Sequence, residues 1–143
     1  MSVKFGPHPI PDSHVFWEGD HFCSIVNLKP ITDGHVLLIT RRQASRFGQL
    51  TDLELRELHE AASNISRTLM GGNSNMVVQD GSDAGQTVRH FHMHIVPRQS
   101  ALEKVDNDTR ISRSTYEMAA EASKYRKIFA KAAGLARRLA RFI

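Results

Sequence analysis

Three of the chain's eight histidines stand at strict two-residue spacing in the run His90-Phe91-His92-Met93-His94-Ile95. Successive side chains of an extended strand point to opposite faces. We therefore expect His90, His92 and His94 to line one face of a strand, while Phe91, Met93 and Ile95 line the other. Pro97 has no N–H for a ladder and ends the pattern. One face of this strand is predicted to carry chemistry and the other to pack.

Three interpretations of the histidine pattern are open. The first is an ordinary half-exposed strand. The second is a metal site, because imidazole is a common ligand of zinc and copper; against it, Cys23 is the single cysteine and no acidic pair stands at ligand spacing. The third is catalysis by neutral imidazoles on a phosphate, one as nucleophile and the others as donors or orienting groups. We favour the third.

A phosphoanhydride resists anionic nucleophiles because its own oxygens repel them, so a neutral nucleophile is advantageous. The sequence has neither clustered carboxylates for a divalent cation nor a glycine-rich loop ending in Gly-Lys-Ser/Thr. Other donors must then offset the developing charge. The candidates are Gln79, Gln86, the amides of Gly85, Gln86, Thr87 and Val88, and the imidazoles of His90 and His94.

The run from His90 to Val96 resembles the signature of the histidine triad superfamily, in which histidines alternate with apolar residues and two apolar residues follow. Further matches are Gln79-Asp80-Gly81, Ala84-Gly85-Gln86-Thr87-Val88, Asn27-x-Lys29-Pro30, Gly34-His35-Val36-Leu37, Phe5-Gly6 and His8. These are similar to the fragile histidine triad branch, the dinucleoside triphosphate hydrolases. The resemblance covers the chain from its start to about residue 98 and a short C-terminal segment.

The resemblance implies a role for each matching residue. His92 is similar to the nucleophile that attacks the α-phosphorus, His94 to the histidine that contacts the phosphate, and His90 and His35 to the orienting pair. The implied phosphate and leaving-group contacts are Gln86, Gln79, Gly85, Thr87 and Val88. Asn27 resembles a ribose contact. The implied base site consists of His8, Phe5, Ile10, Ile25 and Leu37.

The function implied by the resemblance is hydrolysis of diadenosine triphosphate to AMP and ADP. No cofactor is expected for the chemistry and no metal site, although a divalent cation can accompany the polyphosphate, and a homodimer is expected. One alternative keeps the site but changes the substrate to a nucleoside phosphoramidate or an adenylated conjugate. Another is a nucleotide-binding signalling module with slow turnover.

Length and composition limit the number of domains, the compartment and the charge of the ligands. The 143 residues suit one domain, and the single cysteine suits a reducing compartment. We expect neither a secretory signal nor a membrane span, because no apolar run approaches ~20 residues, and hence a cytoplasmic protein that could also enter the nucleus. The net formal charge of +4 favours anionic ligands.

The remaining pattern predicts an α+β fold with an antiparallel sheet of about five strands and two main helices, and the resemblance implies that it is the histidine-triad fold. The predicted strands are 15–17, 22–28, 35–40, 75–79 and the histidine strand. The first helix spans Leu50 to Met70, with Thr51 and Glu54 forming a capping box and Gly71 ending it. An apolar stripe on this helix should pack on the sheet.

Three segments lie outside this scheme. Residues 1–14 are predicted to lie over another part of the protein without regular structure, and the resemblance implies that they cover the base pocket. Residues 98–113 are predicted to form an exposed loop. Ser114 and Glu117 predict a second helix. We divide the chain into a hydrolase domain, 1–130, and a basic helical extension, 131–143. The basic tail from Lys124 to Ile143, which includes this extension, either docks on the domain with a solvated basic face, or contacts anionic lipid, nucleic acid or a protein partner.

Overall fold

The computed structural model describes residues 3–97 and 110–142, so most of the predicted loop at 98–113 lies outside the described residues. The predicted α+β architecture is confirmed, with an antiparallel sheet of five strands carrying two helices. The strands are β1 Val3–Phe5, β2 His8–Ile10, β3 Val15–Glu18, β4 Phe22–Val26, β5 Val36–Thr40, β6 Ser74–Val77 and β7 His92–Pro97, and the helices are α1 Asp52–Met70 and α2 Thr115–Ala140. Among the described helices, none is long and apolar enough to cross a membrane.

The order of the main sheet, β3-β4-β5-β7-β6, places the histidine strand β7 between two neighbours. His94 lies opposite Leu37 of β5 and Val77 of β6, and His92 lies opposite Ile39. Directly opposed residues share a face of an antiparallel pair. His92 and His94 therefore project from the face that carries the smaller apolar cluster, which includes Ile25, Leu37 and Ile39.

The opposite face of the sheet carries the larger core. Helix α1 begins after Thr51, whose side chain accepts from the Glu54 amide, and ends at Gly71 in the left-handed conformation with φ of 60°. Its stripe packs on this face through the buried residues Leu58, Ala61, Ala62 and Ile65. Phe91 and Ile95 bring β7 into the same core, which confirms that this side of the histidine pattern packs.

Helix α2 confirms the second capping box, because the Ser114 side chain accepts from the Glu117 amide. The helix docks through Met118, Ala122 and Tyr125, all buried, and the Tyr125 ring lies 5.2 Å from that of Phe16. It then continues as one helix to Ala140, with residues 131–142 almost entirely exposed. The docked alternative for the basic tail thus agrees with the buried Tyr125, and the exposed residues 131–142 leave the contact of the extension a prediction.

Besides shifts of one or two residues at the ends of β3, β4, β5, β6 and α1, two differences from the prediction bear on the site. Residues 3–10 form a two-stranded hairpin, β1–β2, where no regular element was expected, because Gly6 adopts φ of 60° in the turn. Strand β7 begins at His92 rather than His90: the Phe91 amide donates to the carbonyl of Ala44, in a loop, at 2.6 Å. His90 therefore sits just before the ladder, held by other contacts.

Candidate active site

His92 is held in a single tautomer. Its Nδ1 lies 2.8 Å from the main-chain carbonyl of His90, and a carbonyl can only accept, so Nδ1 carries the hydrogen. The lone pair of the neutral ring is then on Nε2. The side chain is 7% exposed, and burial lowers its pKa below the ordinary value of 6.5. A neutral imidazole with a free Nε2 lone pair is a competent nucleophile at pH 7.

His94 is oriented by a relay through His35. The Ile31 amide donates to Nδ1 of His35 at 3.1 Å, so the proton of the neutral His35 ring is on Nε2, 2.9 Å from Nδ1 of His94. That leaves His94 with its own proton on Nε2. This Nε2 is buried and has no hydrogen-bond partner in the described structure. Since a buried donor is expensive to leave unsatisfied, the arrangement is suited to receive a ligand oxygen.

His90 uses both ring nitrogens inside the protein. Its Nε2 donates to the carbonyl of Thr40 at 2.6 Å, and its Nδ1 accepts from the Gly6 amide at 3.0 Å. The ring is fully buried, and its pKa is lowered mainly by burial. His90 therefore has no nitrogen left for a substrate, and its carbonyl and ring position the neighbouring His92.

We expect the buried neutral histidines to make the protein acid-sensitive. Burial lowers the pKa of both His35 and His94 from 6.5 to about 3, so the unfolded chain binds more protons than the folded protein between these values. Stability is therefore lost as pH falls from 6.5 toward 3. Urea denaturation should give an unfolding free energy about 1–4 kcal/mol lower at pH 5 than at pH 7.

The carboxylates whose pKa values are shifted do not account for a loss of stability between pH 7 and pH 5. The pKa values of Glu54 and Asp80 are lowered, chiefly by hydrogen bonds from Arg42 and Arg46, so both stay ionised above pH 5. Equal unfolding free energies at pH 7 and pH 5 would contradict the assignment of neutral, buried rings.

The amino-terminal hairpin closes over this site. The Phe5 ring meets the His92 ring edge-on, with centroids 4.9 Å apart, and that of His90 at 5.6 Å. Gly6 supplies the amide that fixes His90, and a Cβ built there would lie 2.8 Å from Cγ1 of Val88. A side chain at this position has to displace the turn, at a cost in backbone strain as well.

Gly6→Ala should consequently weaken the contact that orients His90. If the protein is active on a nucleotide, we expect kcat to fall about tenfold or more, because about 1 kcal/mol or more of positioning is lost. The checks are steady-state kinetics and the melting temperature. The matched control is Gly48→Ala, whose added Cβ meets nothing within 4 Å. Equal kcat for both variants would show that the turn does not position the histidines.

Gln86 has a structural reason for its position that the sequence did not reveal. Its Oε1 accepts from the Gly81 amide at 2.8 Å, and its Nε2 donates to the carbonyls of Ser45 and Val88 at 2.8 and 3.1 Å. The amides of Gly85 and Gln86 also donate within the loop, to Ser82 and Gly81. These expected phosphate donors are thus engaged in holding the loop of residues 81–88.

The other predicted site residues fall into three groups. Ile25 and Leu37 are buried in the smaller apolar cluster, and Phe5 and Ile10 of the hairpin pack against it, while His8 is exposed at the start of β2. Asn27 lies with its amide nitrogen 3.3 Å from Nδ1 of His35, which accepts in this tautomer, and its Oδ1 accepts from the Lys29 amide. The half-buried Gln79 and Val88 and the exposed Thr87 belong to the segment before the triad.

Two arginines near the site were missed by the sequence analysis. Arg110 donates to the carbonyl of Lys29 at 2.7 Å, and Arg113 donates to the carbonyl of Asn27. Arg110 contributes, after burial, to the lowered pKa of both His35 and His94. Neither residue lies near these histidines in sequence, so no local pattern could have found them.

A metal centre has little support in the geometry. Across residues 3–97 and 110–142, no group of three or more His, Cys, Asp or Glu side chains is arranged to hold a metal ion. Both ring nitrogens of His90 and the Nδ1 atoms of His92 and His94 bond to carbonyls, an amide and another histidine ring. Within the triad this leaves the Nε2 atoms of His92 and His94, which are fewer ligands than a zinc site requires.

Comparison with known proteins places this geometry in context. A family model described as HIT domain matches residues 10–101. The chain is 38% identical to the nitrilase and fragile histidine triad fusion protein NitFhit of Caenorhabditis elegans, over 88% of this chain but 32% of the longer protein. It thus spans about a third of that fusion protein.

Two other relatives match over most of both chains. The bifunctional bis(5'-adenosyl)-triphosphatase/adenylylsulfatase FHIT of Arabidopsis thaliana is 35% identical, over 90% of this chain and 84% of its own. The crystal structure of Plasmodium falciparum diadenosine triphosphate hydrolase in complex with cyclomarin A is 29% identical, with a TM-score of 0.78 over 91% of this chain and 85% of that chain.

Proposed function

The chain belongs to the HIT domain family, and from this premise we propose that it hydrolyses dinucleoside polyphosphates, preferentially diadenosine triphosphate to AMP and ADP. The names of the Arabidopsis and Plasmodium relatives support this substrate class. The observation that carries the proposal is the pair of opposite tautomers. His92 offers a lone pair on Nε2, and His94 offers a buried, unpartnered N–H beside it.

The proposed reaction has two steps. The Nε2 lone pair of His92 attacks the α-phosphorus, the bond from this phosphorus to the bridging oxygen breaks, and ADP leaves with the bonding electrons. The positive charge on the nucleotidylated ring is stabilised by the carbonyl of His90 at Nδ1. Water then attacks the phosphorus, the bond to Nε2 breaks, and AMP is released with a proton to solvent.

The surrounding residues take supporting roles in this proposal. His94 donates from Nε2 to a phosphate oxygen, and His35 and His90 position the two reacting rings. Gln86 is a positioning residue that holds the loop. The proposed substrate contacts outside the triad are Gln79, Thr87 and Val88 for the phosphates, with Gly85 shaping the loop that carries them, Asn27 for the ribose, and His8, Phe5, Ile10, Ile25 and Leu37 for the base.

Product analysis tests the proposal. Purified protein is incubated with diadenosine triphosphate, diadenosine tetraphosphate, an adenosine phosphoramidate and adenylyl sulfate, with and without a chelator. We expect AMP and ADP in equal amounts from the triphosphate, both with and without the chelator. A divalent cation bound to the polyphosphate can still change the rate. Faster release of AMP from the phosphoramidate or the sulfate would favour the conjugate hydrolase, which the adenylylsulfatase in the Arabidopsis relative's name supports.

A signalling role of the nucleotide complex remains a distinct candidate. It requires that the substrate bind tightly and turn over slowly, so single-turnover and steady-state rates distinguish it from a housekeeping enzyme. We also place the protein in the cytoplasm, with access to the nucleus, and propose that its basic C-terminal segment contacts an anionic surface.

We further propose a homodimer. Strand β6 is an edge of the sheet, with backbone groups open to pairing, and an apolar groove lies beside it between α1 and the sheet. Its lining includes Phe47, Leu55, Ala62, Met76 and Met93, and Phe47 and Met76 are 42% and 44% exposed. Exposed apolar patches of this kind are typical of interfaces.

Light scattering at micromolar concentration should therefore give the mass of two chains. Met76→Glu should shift the protein toward the monomer, because it places a charge in the groove. The control is Leu53→Glu, at an exposed position of α1 outside the groove lining. A monomeric wild type would contradict the dimer.

A further inference from the structure

Residues 131–142, here called the basic extension, leave the surface of the domain. All of them are exposed except Gly134, which is half-buried. They include three large apolar side chains, Leu135, Leu139 and Phe142, which are 49%, 56% and 88% exposed. Exposed leucine and phenylalanine side chains in one short segment are unusual for a surface helix, whose apolar side normally faces a core. The basic extension therefore presents an apolar side that no other part of the described chain covers.

The charge of this part of the chain is equally one-sided. From residue 124 to residue 142 the sequence contains no acidic residue, and its cations are Lys124, Arg126, Lys127, Lys131, Arg137, Arg138 and Arg141. They exceed the net formal charge of +4 for the whole chain, so the remainder is net negative. Arg126 is occupied in docking, because it donates to the carbonyl of Val15 at 2.8 Å. The free positive charge thus lies at and beyond the end of the docked helix.

The helical twist separates these two features. At about 100° per residue, Leu135 and Leu139 lie on one side of the helix and Arg137 on the other, with Lys131 and Arg138 at the border of the apolar side. Arg141 and Phe142 follow in the turn after Ala140. Small residues fill much of the rest, including Ala132, Ala133 and Ala136. An apolar side bordered by arginines, without acidic residues, is the pattern of a helix that lies at a membrane surface.

We propose that the basic extension binds the surface of an anionic lipid bilayer. Its leucines and phenylalanine enter the boundary between headgroups and acyl chains, and its arginines bind the lipid phosphates and carboxylates. From 131 to 140 the helix is about 15 Å long, half of the ~30 Å hydrocarbon layer, so it lies on the bilayer and does not span it. This attachment is independent of the proposed hydrolysis.

Two other binding partners of the basic extension fit the observations less well. A nucleic acid would neutralise the arginines but leave Leu135 and Leu139 in water, so it accounts for the charge alone. A second copy of the extension could cover the leucines, but it would bring the same cations together with no acidic residue between them. An anionic bilayer complements both the apolar side and the charge.

The test measures sedimentation of the full chain with vesicles of phosphatidylcholine alone or containing 30% phosphatidylserine. Two variants change the extension: Leu135→Gln/Leu139→Gln removes apolar surface, and Arg137→Gln/Arg138→Gln removes charge. The matched control, Arg56→Gln/Arg67→Gln, removes two exposed arginines of α1. Circular dichroism and hydrolytic activity verify that each variant folds as the wild type does.

We expect the wild type to bind the anionic vesicles at least tenfold more tightly than the neutral ones. Each extension variant should lose about tenfold or more in binding, while the control retains it. Absence of wild-type binding, or full binding by the leucine variant, would overturn the proposal. Tight binding of a poly(U) probe that only the arginine variant loses would assign the extension to nucleic acid, and a lower mass of the leucine variant in light scattering would assign it to a second copy.

Discussion

His92→Asn is expected to abolish turnover of diadenosine triphosphate while leaving nucleotide binding largely intact. Asparagine can still donate to the carbonyl of His90, which His92 Nδ1 contacts at 2.8 Å, but it has no ring nitrogen that can attack phosphorus. The covalent step is therefore lost while the pocket remains. We expect kcat to fall about 10⁴-fold or more, and His92→Ala should behave alike.

The measurements are single-turnover kinetics and calorimetric titration with a non-hydrolysable analogue. His59→Asn, at an exposed position of α1, serves as the matched histidine control and should retain full activity. When the wild-type reaction is stopped with a denaturant that contains no acid, a nucleotidyl adduct of the protein should be trapped. The variant should lack this adduct. If activity instead follows added zinc, and alanine at His90, His92 or His94 removes bound metal equally, the metal interpretation is correct and the covalent assignment is wrong.

Phe91→Ala should lower the free energy of unfolding more than any other substitution named above. The side chain is 1% exposed and meets the rings of Phe22 and Phe47, with centroids 6.1 and 5.8 Å away. Removing it leaves a cavity as well as losing buried area, so we expect the free energy of unfolding to fall by about 3–5 kcal/mol. That is a large part of the ~5–15 kcal/mol typical of a folded domain.

Urea denaturation at pH 7 measures this loss. Phe142→Ala is the matched control, because that ring is 88% exposed and should change stability by less than about 0.5 kcal/mol in the absence of membranes. Since Phe91 stands between His90 and His92, surviving protein should also show reduced kcat. A loss below about 1 kcal/mol would mean that the core under β7 relaxes around the cavity and is not rigidly packed.

Much of the fold followed from short-range patterns. The Thr51 and Ser114 capping boxes and the αL residue Gly71 each depend on a few neighbouring residues, and the structure confirms all three. The packing side of β7 followed from the period of two in a strand. The amino-terminal hairpin was not predicted, because its turn depends on the left-handed conformation of Gly6, which its proline-spaced surroundings did not indicate.

Contacts between distant residues left no such pattern. The Gln86 side chain bonds to its neighbours Gly81 and Val88, but also to Ser45, which lies 41 residues away and so left no pattern in the sequence. The exposure of the basic extension was equally undecided, because an amphipathic helix has the same sequence whether its apolar side is covered or free. Whether the apolar side is covered or free depends on how far the surface of the folded domain extends along the helix.

The sequence by itself determined which residue types could perform the chemistry: three alternating imidazoles, without carboxylates at metal-ligand spacing. The tertiary structure decided the protonation of each ring. His35 meets His94 across 59 residues, Thr40 meets His90 across 50, and Gly6 meets His90 across 84. Tautomers and pKa values depend on hydrogen-bond partners and on burial. Both are properties of the folded chain, because folding alone brings these groups together and removes water from them.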